Sequence, residues 1–250
     1  MTLLSRSLRH CPGSLALGVA LILAAVAGVV FGADVVAPAG YAYQARPAAG
    51  GTGKQYMGRE IAQVMGHDGA AWLDRGEREK EERTDLLIRN LPIKPSDTVA
   101  DIGAGTGYFS FRLSPLLTKG KVIAVDIQPE MLSFIEKARQ QSAVTNVDTR
   151  LASETDPGLS RASVDLALLV DAYHEFIYPR EVMQNIVQAL KPGGLVALVE
   201  YRGEDAAVPI KPLHKMTQTQ VKTELAAAGL VWRETKEVLP WQHLMIFSKP

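Results

Sequence analysis

Cysteine is almost absent from this sequence. The only one, Cys11, sits near the N-terminus, so the chain forms no intrachain disulfide and has no cysteine zinc site. From residue 34 onward there is also no thiolate nucleophile. A cysteine-free domain tolerates an oxidising compartment without requiring one. An excess of one charge is missing too. Lys and Arg number 27, as do Asp and Glu, which argues against DNA or RNA as an obligatory partner. No H-x-x-x-H spacing or carboxylate cluster suggests a metal, so none is expected. No G-x-S-x-G elbow suggests a hydrolase, and no internal repeat is visible. The apolar content, 47%, excludes a disordered or collagen-like chain.

What is present begins with a three-part N-terminus. Arg6, Arg9 and His10 make a basic start, residues 15–31 are an unbroken small-and-apolar run, and Gly32, Ala33 and Asp34 follow. That layout predicts a secretory signal peptide over residues 1–33, cleaved after Gly32, and a periplasmic or secreted protein. The alternative is an uncleaved anchor, since the run is at the short limit for spanning a bilayer. Contact with a membrane is expected only through this segment. Residues 34–55 are rich in Gly, Ala and Pro and read as a disordered linker.

The remaining residues, 56–250, suit one α/β domain with a buried core. Residues 56–92 read as a helical lid, interrupted near 66–69 and at Gly76. Its second half carries opposite charges at i,i+4, such as Arg78–Glu82 and Glu79–Arg83, and reads as a solvated helix face. Tyr56, Arg59, Trp72 and Arg75 either cover a site or pack an N-terminal helix. From Thr98 a βα alternation sets in. Strands are predicted at 98–102, 121–126, 146–151, 164–170 and 195–201, with helices at 108–117, 129–140, 179–190 and 217–228. Segments 231–238 and 244–248 then follow without a helix between them. The pattern predicts a Rossmann-like, mostly parallel seven-stranded sheet with helices on both faces and an antiparallel C-terminal strand.

The central motif is VADIGAGTGYFS, residues 99–110. A strand ends at Asp101-Ile102, and the chain turns through Gly103, Ala104, Gly105 and Gly107 into a helix. Such a turn must be tight and must let backbone approach a ligand. The next strand ends at Asp126, where a carboxylate can accept both ribose hydroxyls of an adenosine. Tyr108 stands where a dinucleotide G-x-G-x-x-G pattern wants its third glycine. The acid at the loop's entry, Asp101, suits an ammonium and would repel a phosphate. A ligand joining adenosine to a cationic amino acid fits these groups, as S-adenosylmethionine does; NAD fits them poorly.

Four motifs in order extend this picture: VADIGAGTGYFS, VIAVDIQPEML (122–132), SVDLALLVDAYHEF (163–176) and LKPGGLVALVEYR (190–202). Together they resemble the class I S-adenosylmethionine-dependent methyltransferases over residues 56–250. The resemblance implies that Gly103, Ala104, Gly105 and Gly107 pack under the cofactor's methionine part, with Asp101 near its amino group. It implies that Asp126 binds the ribose and Ile127 packs on adenine. Ser153 or Glu154 is the expected adenine contact after the third strand. Asp171, leaving the fourth strand, would face the methionine part or the acceptor.

Methyl transfer from a sulfonium needs alignment of the acceptor and, for some acceptors, removal of a proton. Asp171, Tyr173 and His174 are the candidate catalytic residues, because strand C-terminal ends face the ligand crevice in such sheets. His174 titrates in the range a general base needs. His214 and His243 read as isolated surface or packing residues. The acceptor is expected to be a small molecule. Two alternatives remain at this point: an NAD(P)-dependent oxidoreductase, and an exported binding protein that keeps the fold without the chemistry.

Overall fold

The computed structural model describes residues 40–250. The expected signal or anchor, 1–33, lies outside the described residues, as do residues 34–39. No described helix is long and apolar enough to cross a membrane.

A seven-stranded sheet forms the centre. Its strands are β4 (Thr98–Ile102), β5 (Lys121–Asp126), β6 (Val147–Leu151), β7 (Val164–Val170), β8 (Leu190–Tyr201), β9 (Val231–Lys236) and β10 (Gln242–Ser248), with β1–β3 given below. The order is β6-β5-β4-β7-β8-β10-β9. All pairs from β6 to β8 are parallel, and β10 runs antiparallel to both its neighbours. The chain goes outward from β4 to β6, then returns to start again at β7. The order therefore reverses between β4 and β7, and the crevice beyond their C-terminal ends is where ligands bind in such sheets.

The strands are apolar because both sheet faces are covered. Alternate residues serve opposite faces. Leu166, Leu168, Ala197 and Val199 join one core with Leu87, Phe109, Leu113 and Ile135. Ala167, Leu169, Val196 and Leu198 join the other with Met183, Ile186, Val221 and Leu225. The helices supplying the first core are α3 (Thr84–Asn90), α4 (Tyr108–Leu113) and α5 (Pro129–Ser142). Those supplying the second are α6 (Pro179–Ala189) and α7 (Gln218–Ala227). Two short helices, α1 (Ala70–Leu73) and α2 (Arg78–Glu82), precede them. The predicted fold class holds throughout. The largest boundary shifts are at α4, which ends at Leu113 instead of Leu117, and at β8, which starts at Leu190, where a register irregularity opposite Val164–Leu166 absorbs the Pro-Gly-Gly turn expected to lie between helix and strand.

The N-terminal part differs from expectation. Residues 41–62 form neither a disordered linker nor a helix but a three-stranded antiparallel sheet of β1 (Tyr41–Tyr43), β2 (Gly51–Tyr56) and β3 (Arg59–Ala62). Met57 and Gly58 both take positive φ, 48° and 87°, as the tight primed turns of β-hairpins require. Tyr41, Tyr56 and Ile61 make a small core with Ile177 and Tyr178, just before α6. Lys54 is buried over the Tyr178 ring, 3.2 Å from its centre. The remaining lid is broken into short pieces, with Arg83 at φ 53° separating α2 from α3.

The charged residues of α2 are solvated only in part: Glu79 and Lys80 are exposed as expected, but the Arg78–Glu82 side is not. Arg78 and Glu82 are buried. Glu82 accepts from Arg75 at 2.6 Å, from Arg78 at 3.0 Å and from the Tyr201 hydroxyl at 3.0 Å. The i,i+4 spacing of Arg78 and Glu82 is as expected, but it serves an internal strut. Arg83 pairs with Asp85 rather than Glu79.

Candidate functional site

A cavity of about 790 Å³ opens at the C-terminal ends of β4, β5 and β7, at the reversal of strand order. That size suits a drug-sized ligand or cofactor. The turn after β4 forms its floor. Gly103 and Gly105 take φ of 74° and 55° and both line the cavity. A Cβ at Gly103 would lie 2.7 Å from the Ala172 methyl, and one at Gly105 would lie 2.5 Å from Leu73 Cδ1. Bare backbone is therefore required by conformation at both positions and also by space at Gly103, since the Ala172 methyl cannot swing aside as the Leu73 side chain can. Ala104 and Gly107 shape the turn from behind and do not reach the cavity wall.

Asp126, at the end of β5, does reach it. Its Oδ2 accepts the Gly105 N–H at 2.8 Å and its Oδ1 accepts the Gln128 N–H at 2.9 Å. The carboxylate thus fixes the turn and retains lone pairs for ligand hydroxyls. Burial raises its pKa against the backbone bonds that lower it. Ile127, Ser153 and Glu154 line the same end, with Ile102, Val125 and Met131 as apolar neighbours.

Asp101 is placed otherwise. It is fully buried, accepts the Ser110 hydroxyl at 2.6 Å, and is not part of the cavity wall. Burial pushes its carboxyl up to about 6, with Asp126 adding repulsion and Ser110 opposing. Asp101, expected near a cofactor amino group, is thus placed off the cavity wall as a support beneath the turn, tying β4 to α4.

Asp171 takes the place at the wall. It follows β7 with φ 50°, a conformation non-glycine residues seldom adopt. Its Oδ2 accepts from Gln242 at 3.2 Å, while Oδ1 is shielded from solvent and has no partner. A buried acceptor left unpaired is costly, and such groups mark functional positions. Burial raises its pKa well above the usual carboxylate range, and Glu82 and Glu200 add to the effect.

The next residues separate. Tyr173, expected to be catalytic, points away from the cavity: it is fully buried and its hydroxyl donates to Glu224 Oε2 at 2.8 Å. Glu224 also takes a two-point contact from Arg59, whose Nη1 donates to the His174 carbonyl at 3.1 Å. Arg59 is thus a brace for the loop. Of the expected lid residues only Trp72 lines the cavity; Tyr56 is in the small N-terminal core and Arg75 stacks on Trp72.

His174 lines the cavity from a 3-10 turn, Tyr173–Glu175. Its Nδ1 is 2.6 Å from Glu200 Oε2, and its backbone N–H donates to Glu200 Oε1 at 3.2 Å. With a carboxylate accepting, Nδ1 carries the proton and Nε2 presents a lone pair. Burial lowers the pKa of His174, but Glu200 and then Glu175 outweigh it and raise it overall. Sequence reasoning missed two members of this group. Glu200 lies on β8 and was read as strand. His214 was read as isolated, yet its Nδ1 lies 3.0 Å from His174 Nε2. No spacing in the sequence links residues 174, 200 and 214; only the sheet order brings them together. His243, the other isolated histidine, is buried between Glu204 and Glu237.

Comparison with known proteins agrees with this geometry. A family model described as a methyltransferase domain matches residues 93–245. An uncharacterised methyltransferase-like protein of Schizosaccharomyces pombe is 32% identical over 151 residues, 60% of this chain and 56% of that protein. The ubiquinone/menaquinone biosynthesis C-methyltransferase of Wigglesworthia glossinidia brevipalpis is 26% identical over 118 residues, 46% of this chain and 47% of that one. The chain thus spans about half the length of these curated relatives. The solved structure of a SAM-dependent methyltransferase from Aquifex aeolicus superimposes with a TM-score of 0.71 at 22% identity, covering 75% of this chain and all of that one. The glycine turn, Asp126 and the crevice at the strand reversal all fall inside the matched region, and the chain belongs to the methyltransferase-domain family in its class I, Rossmann-like form.

Proposed function

We propose that this protein transfers a methyl group from S-adenosylmethionine to a small-molecule acceptor. One observation carries the reading: a bare-backbone turn, a strand-end carboxylate and an unpaired buried carboxylate oxygen meet in a single crevice. When bound, S-adenosylmethionine supplies a methyl group on a sulfonium, a leaving group that needs no further activation. Asp126 would accept the ribose hydroxyls and Ile127 would cover the adenine. Ser153 and Glu154 would border the adenine edge. Gly103 and Gly105 would lie along the methionine part. Asp171 Oδ1 would accept from the methionine ammonium, a donor that relieves its lack of a partner. Asp101 would act only by holding the turn.

The acceptor end is built around His174, oriented by Glu200 and placed to receive a proton from, or otherwise hold, the acceptor. Phe176, Ile177, Pro209 and Ile210 line the cavity beside it and favour an acceptor with an apolar body. Near-neutral overall charge agrees with a small molecule rather than nucleic acid.

Titration calorimetry on the full chain tests the reading. Micromolar binding of S-adenosylmethionine and S-adenosylhomocysteine, with no binding of NAD, is expected. Binding of NAD alone would overturn it in favour of an oxidoreductase.

We further propose export, on the strength of the basic start and apolar run before Asp34. Fusing residues 1–44 to a reporter active only outside the cytoplasm should give signal; silence from a stably expressed fusion would reject export.

A further inference from the structure

Among the described residues, one group combines two imidazoles and a carboxylate at ligand spacing: His174, Glu175 and His214. His174 Nε2 and His214 Nδ1 are 3.0 Å apart. Glu175 Oε1 lies 3.5 Å from His214 Nδ1 and 3.8 Å from His174 Nε2. Ligands held about 2.0–2.2 Å from one ion, at tetrahedral or octahedral angles, stand roughly 3.0–3.5 Å apart. The 3.8 Å edge is slightly wider than that, and a point about 2.0 Å from all three atoms, close to a metal–ligand bond length, lies in the plane of the triangle.

A plain histidine–histidine hydrogen bond accounts for only part of this. It leaves the Glu175 side chain, only 16% exposed, aimed at both ring nitrogens without a hydrogen bond to either. It also leaves the Glu200 contact unexplained as more than support. A carboxylate on the far nitrogen of an imidazole is the arrangement that fixes the tautomer of a metal-ligating histidine and strengthens it as a donor. Glu200 stands 2.6 Å from His174 Nδ1 and is itself fully buried.

We propose that His174, Glu175 and His214 form a binding site for a divalent first-row transition-metal ion, with Glu200 orienting His174. Two imidazoles and one carboxylate occupy only part of a transition-metal ion's coordination shell and leave its other positions open. All three residues line the cavity, so those positions face the acceptor space. Hard ions such as magnesium, which take all-oxygen shells, suit the site poorly. The role of the ion rests on the methyl-transfer reading: it would hold an acceptor through an oxygen or nitrogen donor and favour its deprotonated form. The lone pair of His174 then goes to the cation rather than to a proton. The binding itself does not depend on that reading.

The test uses the full, tag-free chain after dialysis against a chelator. Cobalt(II) is titrated in and followed by its visible absorption, with zinc(II) as competitor and S-adenosylhomocysteine titrated in parallel. One equivalent of cobalt per chain is expected, displaced by zinc. His214→Ala and Glu175→Gln, both at partly exposed positions, should weaken it by at least tenfold while leaving S-adenosylhomocysteine binding intact. Glu200→Gln should cost about 10–100-fold in metal affinity, and His243→Ala should cost nothing. Absence of saturable binding, or equal affinity in His214→Ala and Glu175→Gln, overturns the site. Cobalt binding without S-adenosylhomocysteine binding would keep the metal site and remove the methyl-transfer reading.

Discussion

The two ends of the cavity are made by different means. At the cofactor end the wall is largely main chain: Gly103, Gly105 and the Gly105 N–H locked onto Asp126. Its turn and its strand-end acid come from one stretch of about 30 residues, the β4–turn–α4–β5 unit, with Ser153 and Glu154 joining after β6 and Asp171 after β7. At the acceptor end the wall is side chain: His174, Glu175 and His214, with Glu200 behind them. Those come from three segments up to 40 residues apart. Backbone geometry repeats wherever the same ligand is bound, whereas side chains set apart on three segments are free to differ. On the proposed reading, the main-chain end holds the cofactor and the side-chain end meets the acceptor.

Substitutions can separate the two ends. The largest effect is expected from His174→Ala. Turnover with an acceptor found by screening should fall about 10²–10⁴-fold, while S-adenosylhomocysteine affinity stays within twofold. Normal turnover would remove His174 from the chemistry. Next is Glu82→Ala, at the strut below both ends. It strands Arg75 and Arg78, buried against it, and should destabilise the fold by about 3–5 kcal/mol in denaturant unfolding. A loss under 1 kcal/mol would show that α2 carries little of the fold.

Asp126→Ala should weaken S-adenosylhomocysteine binding more than tenfold, because two ribose hydroxyls lose their acceptor and the turn loses its anchor. Cobalt binding should be unchanged. Coupled loss of both would mean that the ends are not independent.

The smallest effect concerns Asp101, whose carboxyl is pushed up to about 6 by burial. A carboxyl with a higher pKa folded than unfolded binds more protons when folded. Its contribution therefore favours the folded state at low pH and is lost as pH rises from about 4 to 6. Asp101→Asn should thus gain in melting temperature relative to the parent between pH 4 and pH 7, by a few degrees at about 2–4 °C per kcal/mol. A pH-independent difference would mean that Asp101 is ionised throughout.

Much of this molecule is legible in the sequence, for physical reasons. Buried parallel strands must be continuously apolar, so β4, β5, β7 and β8 announce themselves. The glycine turn is local and sterically demanding, so Gly103 and Gly105 do too. Where the sequence misleads, long-range packing decides. Residues 41–62 carry no continuous or alternating apolar run, and their strands are held where Tyr41, Tyr56 and Ile61 pack on Ile177 and Tyr178. Arg78 and Glu82 look solvated along with the rest of α2 until Tyr201, on β8, donates to Glu82. Tyr173 looks poised for chemistry until Glu224, 51 residues on, claims its hydroxyl. Asp101 and Asp171 part for a similar reason. Asp101 lies inside β4 and is held by Ser110, whereas Asp171, just past β7, takes the left-handed turn and reaches the crevice wall as expected.

The most direct test is a crystal structure of the chain grown with S-adenosylhomocysteine. Its ribose hydroxyls should lie within hydrogen-bond distance of Asp126, its amino group against Asp171, and its sulfur toward His174. An adenosine placed away from Gly103 and Gly105, with Asp126 unengaged, would contradict the central claim that this crevice is a cofactor cradle.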